Sequence, residues 1–595
     1  MNRELYWKLR KIFLKYIFII KRIIYRFLDF ISGSKEYSSF RGMVIRNTIL
    51  GLFKAGILIV ITIFFDSMIV GLNNLPVVDK NIFVPSIIGG ISVAGVILGL
   101  YCANISSIYS TKYANAPRNI ANAFQYDRLS RKCISGIVNY IIFGFLLICV
   151  TMYKNDISWI IVASFIFWSI AVVVSYSIAG NRAHQLSDVY AVAADSYRIL
   201  YRIFTKRLNH SLFATDSNFQ NHFLKVAEKQ IGMLKAIQKY CAGVNKSDNT
   251  DNSAMTEFMI NNLILTQTYW LNKSKIGQSS LWFRNTPKYQ RWHFTNDTES
   301  SIALRTGTSL HAKEEKNYWW IEEELISINK SCIIYLFERE DYSSIYSYMT
   351  VLEQMCSEAI RCKEANFYVK HVDWIKQELE KRMISPEVNG GIRTTFAGLM
   401  EVISLLYLDL ILESGKAYRE YDVEKIATEV IKAIDSGKDI DRIEYLRGTQ
   451  ETNFYSKIIT EVQVENKRIS PDWVIKQQIA KEEYVYLNSL LDIVREGMDH
   501  AFNLGKLLLE KKLFFEACII LTRFYEYESK FTYFLDIVGE QKDSLETYHI
   551  DKEYKWGDFK LQKLIYTMSD WKKAVPTLLY ESSSQFALAN WENRD

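Results

Sequence analysis

Four long apolar stretches constrain this chain more than any other feature, because each can cross a lipid bilayer as a helix. They lie at residues 47–72, 83–105, 135–153 and 157–180. About 20 helical residues span a hydrocarbon core that is roughly 30 Å thick. We therefore predict a multi-pass protein of the cell membrane, with four transmembrane helices in residues 43–180. The short connections at residues 73–82 and 154–156 predict two hairpins.

Basic residues predict which ends of the four spans face the cytoplasm. The segment between the two hairpins, residues 106–134, is rich in Lys and Arg and has one acid, Asp127. Cytoplasmic loops carry an excess of Lys and Arg, so we predict that this segment and both chain termini are cytoplasmic. We expect Arg118, Arg128 and Arg131 to lie at the cytoplasmic mouth of the bundle.

The N-terminal residues 1–42 have the pattern of a basic amphipathic helix. Lys15, Arg22 and Arg26 fall on one side at about 100° per residue, whereas Ile19 and Ile23 fall elsewhere on the wheel. Such a helix suits the headgroup layer, so we predict that it lies at the interface and contacts anionic lipid. The alternative is a helix packed beneath the protein's own cytoplasmic domain.

Two features of the predicted spans are candidates for function. The second span contains Ser92, Gly95 and Gly99, whose small side chains allow helices to pack closely or to line a narrow pathway. The first span contains Asp66, and a carboxylate inside a bilayer faces a cavity, a partner or the bundle interior. The alternative is that Asp66 reaches the nearby outer interface.

The chain after residue 180 has the composition of a water-soluble helical protein. Residues 181–278 are predicted to extend the fourth span as a helix, because apolar residues recur at three- and four-residue steps from Leu186 to Leu208. Residues 321–595 predict a large helical domain. The predicted fold class is therefore all-α: a four-helix transmembrane bundle with a large α-helical cytoplasmic domain that contains a small β-hairpin insert.

The predicted insert, residues 279–320, interleaves aromatic and basic residues. Arg284, Arg291 and Trp292 could contact a nucleotide or a lipid headgroup. The alternative is a hairpin whose aromatic residues cap the helical core. The acids that follow, Glu322 among them, suit the positive end of a helix dipole and need no catalytic explanation.

Motifs for catalysis, metal binding and phosphate binding are missing from the sequence, so we predict that the protein is not an enzyme. No GxxxxGK[ST], GxGxxG, HExxH or GxSxG pattern occurs. The 8 cysteines and 8 histidines are dispersed, and none form a set with zinc spacing. We expect no metal and no cofactor. A net charge of +6 over 595 residues argues against a nucleic-acid partner.

The second span and the segment after it carry a family resemblance. The run begins FVPSIIGGISVAGVILGLYCANISSIYSTKYANAPRNIANAFQYD and enters the third span with GFLLICVTMY. Residues 83–153 thereby resemble a bacterial family of predicted membrane proteins that have four spans and no settled function. In that family a small-residue span leads to a Pro-Arg pair and then an Asp, here Pro117, Arg118 and Asp127. The resemblance implies a topology and no particular activity.

The architecture predicts a homo-oligomeric ion channel or pore that is gated by the cytoplasmic helical domain. In this interpretation the second span lines or supports the conduit, and Asp66 sets ion preference. A closed ring of subunits is expected, because a four-span subunit rarely encloses a pore alone. The alternative is a membrane-anchored scaffold or sensor that binds a cytoplasmic protein partner, for example in a stress or anti-phage response.

Overall fold

A computed structural model describes most of the chain. The described residues are 15–26, 77–112, 128–153, 156–186, 189–208, 216–244, 252–273, 280–287, 314–382, 390–435, 471–548 and 558–592, with isolated positions between them. The chain divides into two compact units, Met1–Ser196 with Gly232–Lys246 and Tyr197–Ile231 with Ser247–Asp595. Helices dominate the described residues, and this confirms the predicted all-α class.

Three long apolar helices form most of the described part of the first unit. They are α1 (Lys80–Lys112), α2 (Arg128–Tyr153) and α3 (Trp159–Leu186). Each contains one predicted span, and each is long and apolar enough to cross a membrane. Of the first predicted span, only isolated helical positions are described. Residues 15–26 are helical as predicted, with Ile19, Ile20 and Ile23 exposed.

Aromatic side chains fill the space between α1, α2 and α3. The Tyr140 ring stacks on Phe165 with centroids 5.5 Å apart, and Phe83 meets the same ring edge-on at 5.9 Å. Phe143 and Trp168 pack at 4.7 Å. The Tyr140 hydroxyl and Ser169 Oγ are 2.8 Å apart, so the hydroxyl groups satisfy each other inside this apolar core.

Two glycines permit this close packing. A Cβ at Gly90 would collide with the Tyr140 hydroxyl and lie 2.9 Å from Phe165 Cζ. A Cβ at Gly144 would lie 2.7 Å from Ile91 Cγ1. Because real Cβ contacts are longer than this, the approach of α1 to α2 depends on these glycines.

A short antiparallel pairing joins the two connections of the predicted hairpins. Strand β1 (Val77–Asp79) precedes α1, and strand β2 (Asp156–Ser158) precedes α3. Their register pairs Val77 with Ser158 and Asp79 with Asp156. The predicted topology, with residues 106–134 on the cytoplasmic side, places both short connections at the opposite end of the bundle, but the strands were not predicted.

The second unit consists mainly of helices with short connections. The elements after α3 are α4 (Val189–Arg202), a π-helical turn (Ile203–Arg207), α5 (Ser217–Val244), α6 (Ser253–Lys273), β3 (Arg284–Pro287), β4 (Glu314–Asn317), α7 (Trp320–Glu338), α8 (Tyr342–Gln354), α9 (Cys356–Arg361), α10 (Ala365–Glu380), α11 (Gly390–Glu420), α12 (Val423–Asp435), α13 (Pro471–Glu510), α14 (Phe514–Glu526), α15 (Glu528–Glu546) and α16 (Asp558–Glu592). Residues of α4 and α5 contribute to both units. Strands β3 and β4 pair antiparallel, which confirms the predicted hairpin insert.

Helix α11 forms the centre of the second unit. It is the fourth described helix with the length and composition of a membrane span. However, 67% of its apolar window is buried, against 17–33% for the windows in α1, α2 and α3. It packs against α8, α13, α14 and α15, with Leu399, Leu406 and Leu410 fully buried. Its apolar length is therefore explained by burial among other helices.

Three helix-to-helix turns share one geometry without using glycine. Glu340, Lys363 and Lys512 have positive φ angles of 55°, 61° and 61°. In each turn the following N–H donates to a carbonyl five residues earlier, as Asp341 N does to Leu336 O at 3.0 Å. This is the Schellman arrangement, which ends a helix and reverses the chain. It explains how short turns connect α7 to α8, α9 to α10 and α13 to α14.

Candidate functional site

Ser92, Gly95 and Gly99 share one exposed face of α1. At about 100° per residue they fall within roughly 60° of one another, and the buried Ile87 and Ala94 lie roughly 100–130° around the helix from the centre of this face. The Ser92 hydroxyl donates to Ile88 O at 2.8 Å. No heavy atom of a described residue lies within 4 Å of a Cβ built at Gly95 or Gly99. The face is therefore open within the described part of the chain.

The remaining predicted pore residues are only partly described. Asp66 and Arg118 lie outside the described residues, as do Arg291 and Trp292 of the insert. Arg128 begins α2, and Arg131 lies in its first turn. Their backbone positions are consistent with one end of the bundle, and their predicted roles stay predictions.

Arg284 has structural partners on two helices. Its Nη2 lies 2.9 Å from Glu228 Oε1 of α5, and its Nη1 lies 3.6 Å from Glu324 Oε1 of α7. Its guanidinium also covers the Trp320 ring, with Cζ 4.2 Å from the ring centroid. These contacts fix strand β3 against the helices, so Arg284 is already neutralised where a ligand would need its charge.

A buried ionic cluster lies at the meeting point of three helix ends. Lys273 Nζ lies 2.8 Å from Glu322 Oε1 and 2.6 Å from Glu364 Oε1. Trp319 Nε1 donates to Glu364 Oε2 at 2.7 Å. The exposed fractions of the Lys273, Glu322 and Glu364 side chains are 13%, 0% and 8%. We call Lys273, Glu322 and Glu364 the buried triad.

Helix polarity explains the positions of the buried triad. Lys273 is the last residue of α6, where a positive charge is stabilised by the C-terminal end of the helix dipole. Glu322 lies in the first turn of α7, and Glu364 is the N-cap residue of α10. Both acids therefore occupy the positive ends of their helices. The predicted position of Glu322 in a first helical turn is confirmed, and the side chain is in addition buried against Lys273.

Burial dominates the electrostatics of the triad. It raises the pKa of Glu322 from 4.5 to about 7, because desolvation outweighs the attraction of Lys273. Desolvation alone would lower the pKa of Lys273, but the carboxylates of Glu322 and Glu364 raise it above its ordinary value. Glu322 Oε2 is buried and has no hydrogen-bond partner among the described residues. Lys273 is therefore fully charged, whereas Glu322 can change its charge.

A chain of polar side chains crosses the same unit. Tyr197 OH donates to Asn262 Oδ1 at 2.9 Å, and Asn262 Nδ2 donates to Asn329 Oδ1 at 2.8 Å. Asn329 Nδ2 donates to Tyr348 OH at 3.2 Å, and Tyr348 OH lies 2.8 Å from His371 Nε2. Because the Tyr348 oxygen accepts the hydrogen bond from Asn329, we assign its own O–H as the donor to His371 Nε2. Burial lowers the pKa of His371 to about 3, so the ring is neutral.

Neither the buried triad nor the chain of polar side chains could be predicted from sequence patterns. Asn262 and Asn329 lie within apolar helical patterns, and a single polar residue there does not identify its partner. Glu322 lies 49 residues after Lys273 in the chain, and Glu364 lies 91 residues after it. A weak signal was available, since Glu322 precedes Leu325 and Ile326 at the spacing of a buried helix face. Among the described residues no group of three or more His, Cys, Asp or Glu side chains could hold a metal ion.

Comparison with known proteins gives no relative from which a function could be transferred. The chain matches no family model, no curated protein and no solved structure. Function is therefore inferred from the exposed apolar helices of the first unit and from the polar groups of the second.

Proposed function

We propose that the chain is a multi-pass integral membrane protein that forms a homo-oligomeric ion channel. The observation that carries the membrane assignment is the outward exposure of large apolar side chains on α1, α2 and α3. Val96, Phe145 and Phe167 have exposed fractions of 63%, 57% and 77%. Leaving such side chains in water costs about 1.5–3 kcal/mol each, and lipid tails would remove that cost.

The proposed topology follows from the arrangement of charges and strands. The pairing of β1 with β2 supports a common location for the two short connections, at one end of the apolar helices. The basic segment that contains Arg118, Arg128 and Arg131 connects the end of α1 to the start of α2, at the ends of these helices that lie away from the two short connections. We place this segment, both chain termini and the second unit in the cytoplasm. The helix of residues 15–26 would then lie against anionic lipid.

The conduit is placed between subunits. The space between α1, α2 and α3 is filled by Phe83, Tyr140 and Phe165, which leaves no polar pathway among these three helices. The face of α1 that carries Ser92, Gly95 and Gly99 is open, and small residues allow another helix to approach closely. This face would contact or line the conduit in a closed ring, with the helical unit acting on the gate.

Ion flux into proteoliposomes tests this proposal. Full-length protein is reconstituted, its insertion is verified by protease protection, and flux is compared with that of empty vesicles. We expect flux that changes at least severalfold in Gly99→Leu, which fills the open face. Val173→Leu on α3 is the matched control, because Val173 is also exposed and is placed toward lipid. Equal flux in both variants would remove α1 from the conduit, and no flux from inserted protein would favour the second candidate.

A membrane-anchored scaffold or sensor is the second candidate. It is favoured by exposed aromatic residues on α16, where Tyr566 and Tyr580 have exposed fractions of 69% and 76%. Exposed apolar surface of this kind is typical of protein-binding sites. In this case the full-length protein should capture a cytoplasmic partner that Tyr580→Asp loses and Tyr346→Asp, a matched change on α8, retains. Capture that is insensitive to Tyr580→Asp would place any partner elsewhere.

A further inference from the structure

We propose that the buried triad of Lys273, Glu322 and Glu364 is an internal proton-binding site, in which Oε2 of Glu322 takes up one proton and neutralises the cluster. The proposal does not depend on channel activity. It concerns the second unit alone, in which all three side chains lie.

The charge balance of the triad calls for one more positive charge. Two carboxylates share one ammonium group, and all three groups are withdrawn from solvent. When every group is ionised, the cluster therefore carries an excess negative charge in a medium that solvates it poorly. A proton on either carboxylate removes the excess, because one ammonium then faces one carboxylate.

Hydrogen bonding selects Glu322 as the group that is protonated. Both oxygens of Glu364 accept from donors, Oε1 from Lys273 Nζ and Oε2 from Trp319 Nε1. Donors stabilise the negative charge of a carboxylate, and both oxygens of Glu364 have one. Glu322 accepts from Lys273 through Oε1, whereas its Oε2 has no partner among the described residues. Oε2 of Glu322 is therefore where a proton removes the most unfavourable charge.

Neighbouring charged groups are paired among themselves and do not supply the missing positive charge. Lys363 Nζ lies 3.0 Å from Glu483 Oε2 of α13, and Arg284 pairs with Glu324 of α7. Glu323 points outward and accepts from Asn317 Nδ2 at 2.7 Å.

The other titratable groups near the triad are neutral hydroxyls or are directed elsewhere. The Tyr269 hydroxyl accepts from Trp282 Nε1, and burial raises the pKa of Tyr486. Lys316 donates to Ser280 O.

The site acts as a pH-dependent contribution to folding. The pKa of Glu322 is raised from 4.5 to about 7, so the folded protein binds more protons than the unfolded chain between these values. The stabilising contribution is complete below the unfolded pKa and is lost as the pH rises through the folded pKa. This site therefore contributes less to the stability of the folded protein above neutral pH than it does in mild acid.

Infrared difference spectroscopy of the full-length protein in detergent tests the site directly. A protonated carboxylic acid has a carbonyl band that a carboxylate lacks. On a change from about pH 5 to about pH 8 we expect the wild type to lose this band for one buried acid near neutral pH. Glu322→Gln should remove that signal, whereas Glu323→Gln, the same change at the adjacent exposed position, should retain it. A near-neutral signal that survives Glu322→Gln would overturn the proposal.

Glu364→Gln provides a second, independent test of the charge balance. It leaves one ammonium group facing one carboxylate, so Glu322 should then ionise at lower pH and its band should be lost below the neutral range. Thermal unfolding gives a parallel measurement. The midpoint of the wild type should fall from about pH 5 to about pH 8 more steeply than that of Glu322→Gln. An unchanged band position in Glu364→Gln would show that the triad does not share its charge as proposed.

Discussion

Gly144 of α2 offers the sharpest test of how the apolar helices pack. An Ala at this position would place its Cβ 2.7 Å from Cγ1 and 2.8 Å from Cδ1 of Ile91, with Ile87 Cγ2 at 3.5 Å. Cγ1 is near the root of the Ile91 side chain and cannot move away without a change of rotamer or a shift of α1. The substitution therefore separates two helices whose remaining contacts are aromatic and tightly packed.

The expected magnitude follows from two opposing contributions. Ala is favoured over Gly inside a helix by about 0.8–1 kcal/mol. Overpacking of a filled core costs about 1–3 kcal/mol. Gly144→Ala should therefore lower the free energy of unfolding by up to about 2 kcal/mol. Gly95→Ala should keep the helix gain of about 0.8–1 kcal/mol, because no described heavy atom lies within 4 Å of its Cβ.

Thermal unfolding of the purified full-length variants in one detergent measures the difference. A gap of about 2 kcal/mol corresponds to roughly 4–8 °C in the midpoint for a unit of this size. If Gly144→Ala proves as stable as Gly95→Ala, the described packing of α1 on α2 is wrong. If Gly95→Ala is destabilised as strongly as Gly144→Ala, the open face is covered in the folded protein, as expected for a subunit interface.

Two further predictions concern the second unit. The folded pKa of His371 is lowered to about 3, so the unfolded chain binds more protons between this value and 6.5, and acid should destabilise the protein by up to several kcal/mol. In His371→Gln the thermal unfolding midpoint should fall less as the pH falls through that range. A midpoint that falls as steeply as in the wild type would contradict the assignment. Lys512→Gly should raise stability by about 0.5–1 kcal/mol, because Gly adopts the observed φ of 61° without strain. Lys511→Gly, at the preceding residue, is the control and should not be stabilising.

The sequence predicted helices well where one apolar pattern ran without interruption. The spans at residues 83–105, 135–153 and 157–180 correspond to α1, α2 and α3, and the aromatic insert forms a hairpin. The apolar pattern did not predict where one continuous run divides into two helices. The helix breaks at Met355 and Tyr527 have no Gly or Pro to mark them, so one continuous apolar pattern covers two helices at each place. Helix α16 lies within the predicted helical domain, but Pro576 inside it is a residue that usually ends a helix, so the sequence does not indicate its full length.

Small residues show most clearly what a sequence cannot specify. Gly95 and Gly99 have the spacing of a packing motif, yet the close contacts among the described helices occur at Gly90 and Gly144. Spacing shows which residues share a face, but the direction of that face depends on where the neighbouring helix lies. The same limit hid the buried triad, whose members come from three helices and meet only through tertiary packing.

The pairing of β1 with β2 has a consequence for the order of events during synthesis. Val77–Asp79 emerges from the ribosome well before Asp156–Ser158, which is its partner. At a synthesis rate of about 5–20 residues per second, β1 waits roughly 4–16 s before that partner exists. During this interval α1 and α2 form a hairpin whose first strand is unpaired. The two strands can pair only when the start of α3 lies at the same end of the helices as the start of α1. Formation of the β1–β2 pair therefore requires that α2 and α3 have inserted in the correct direction.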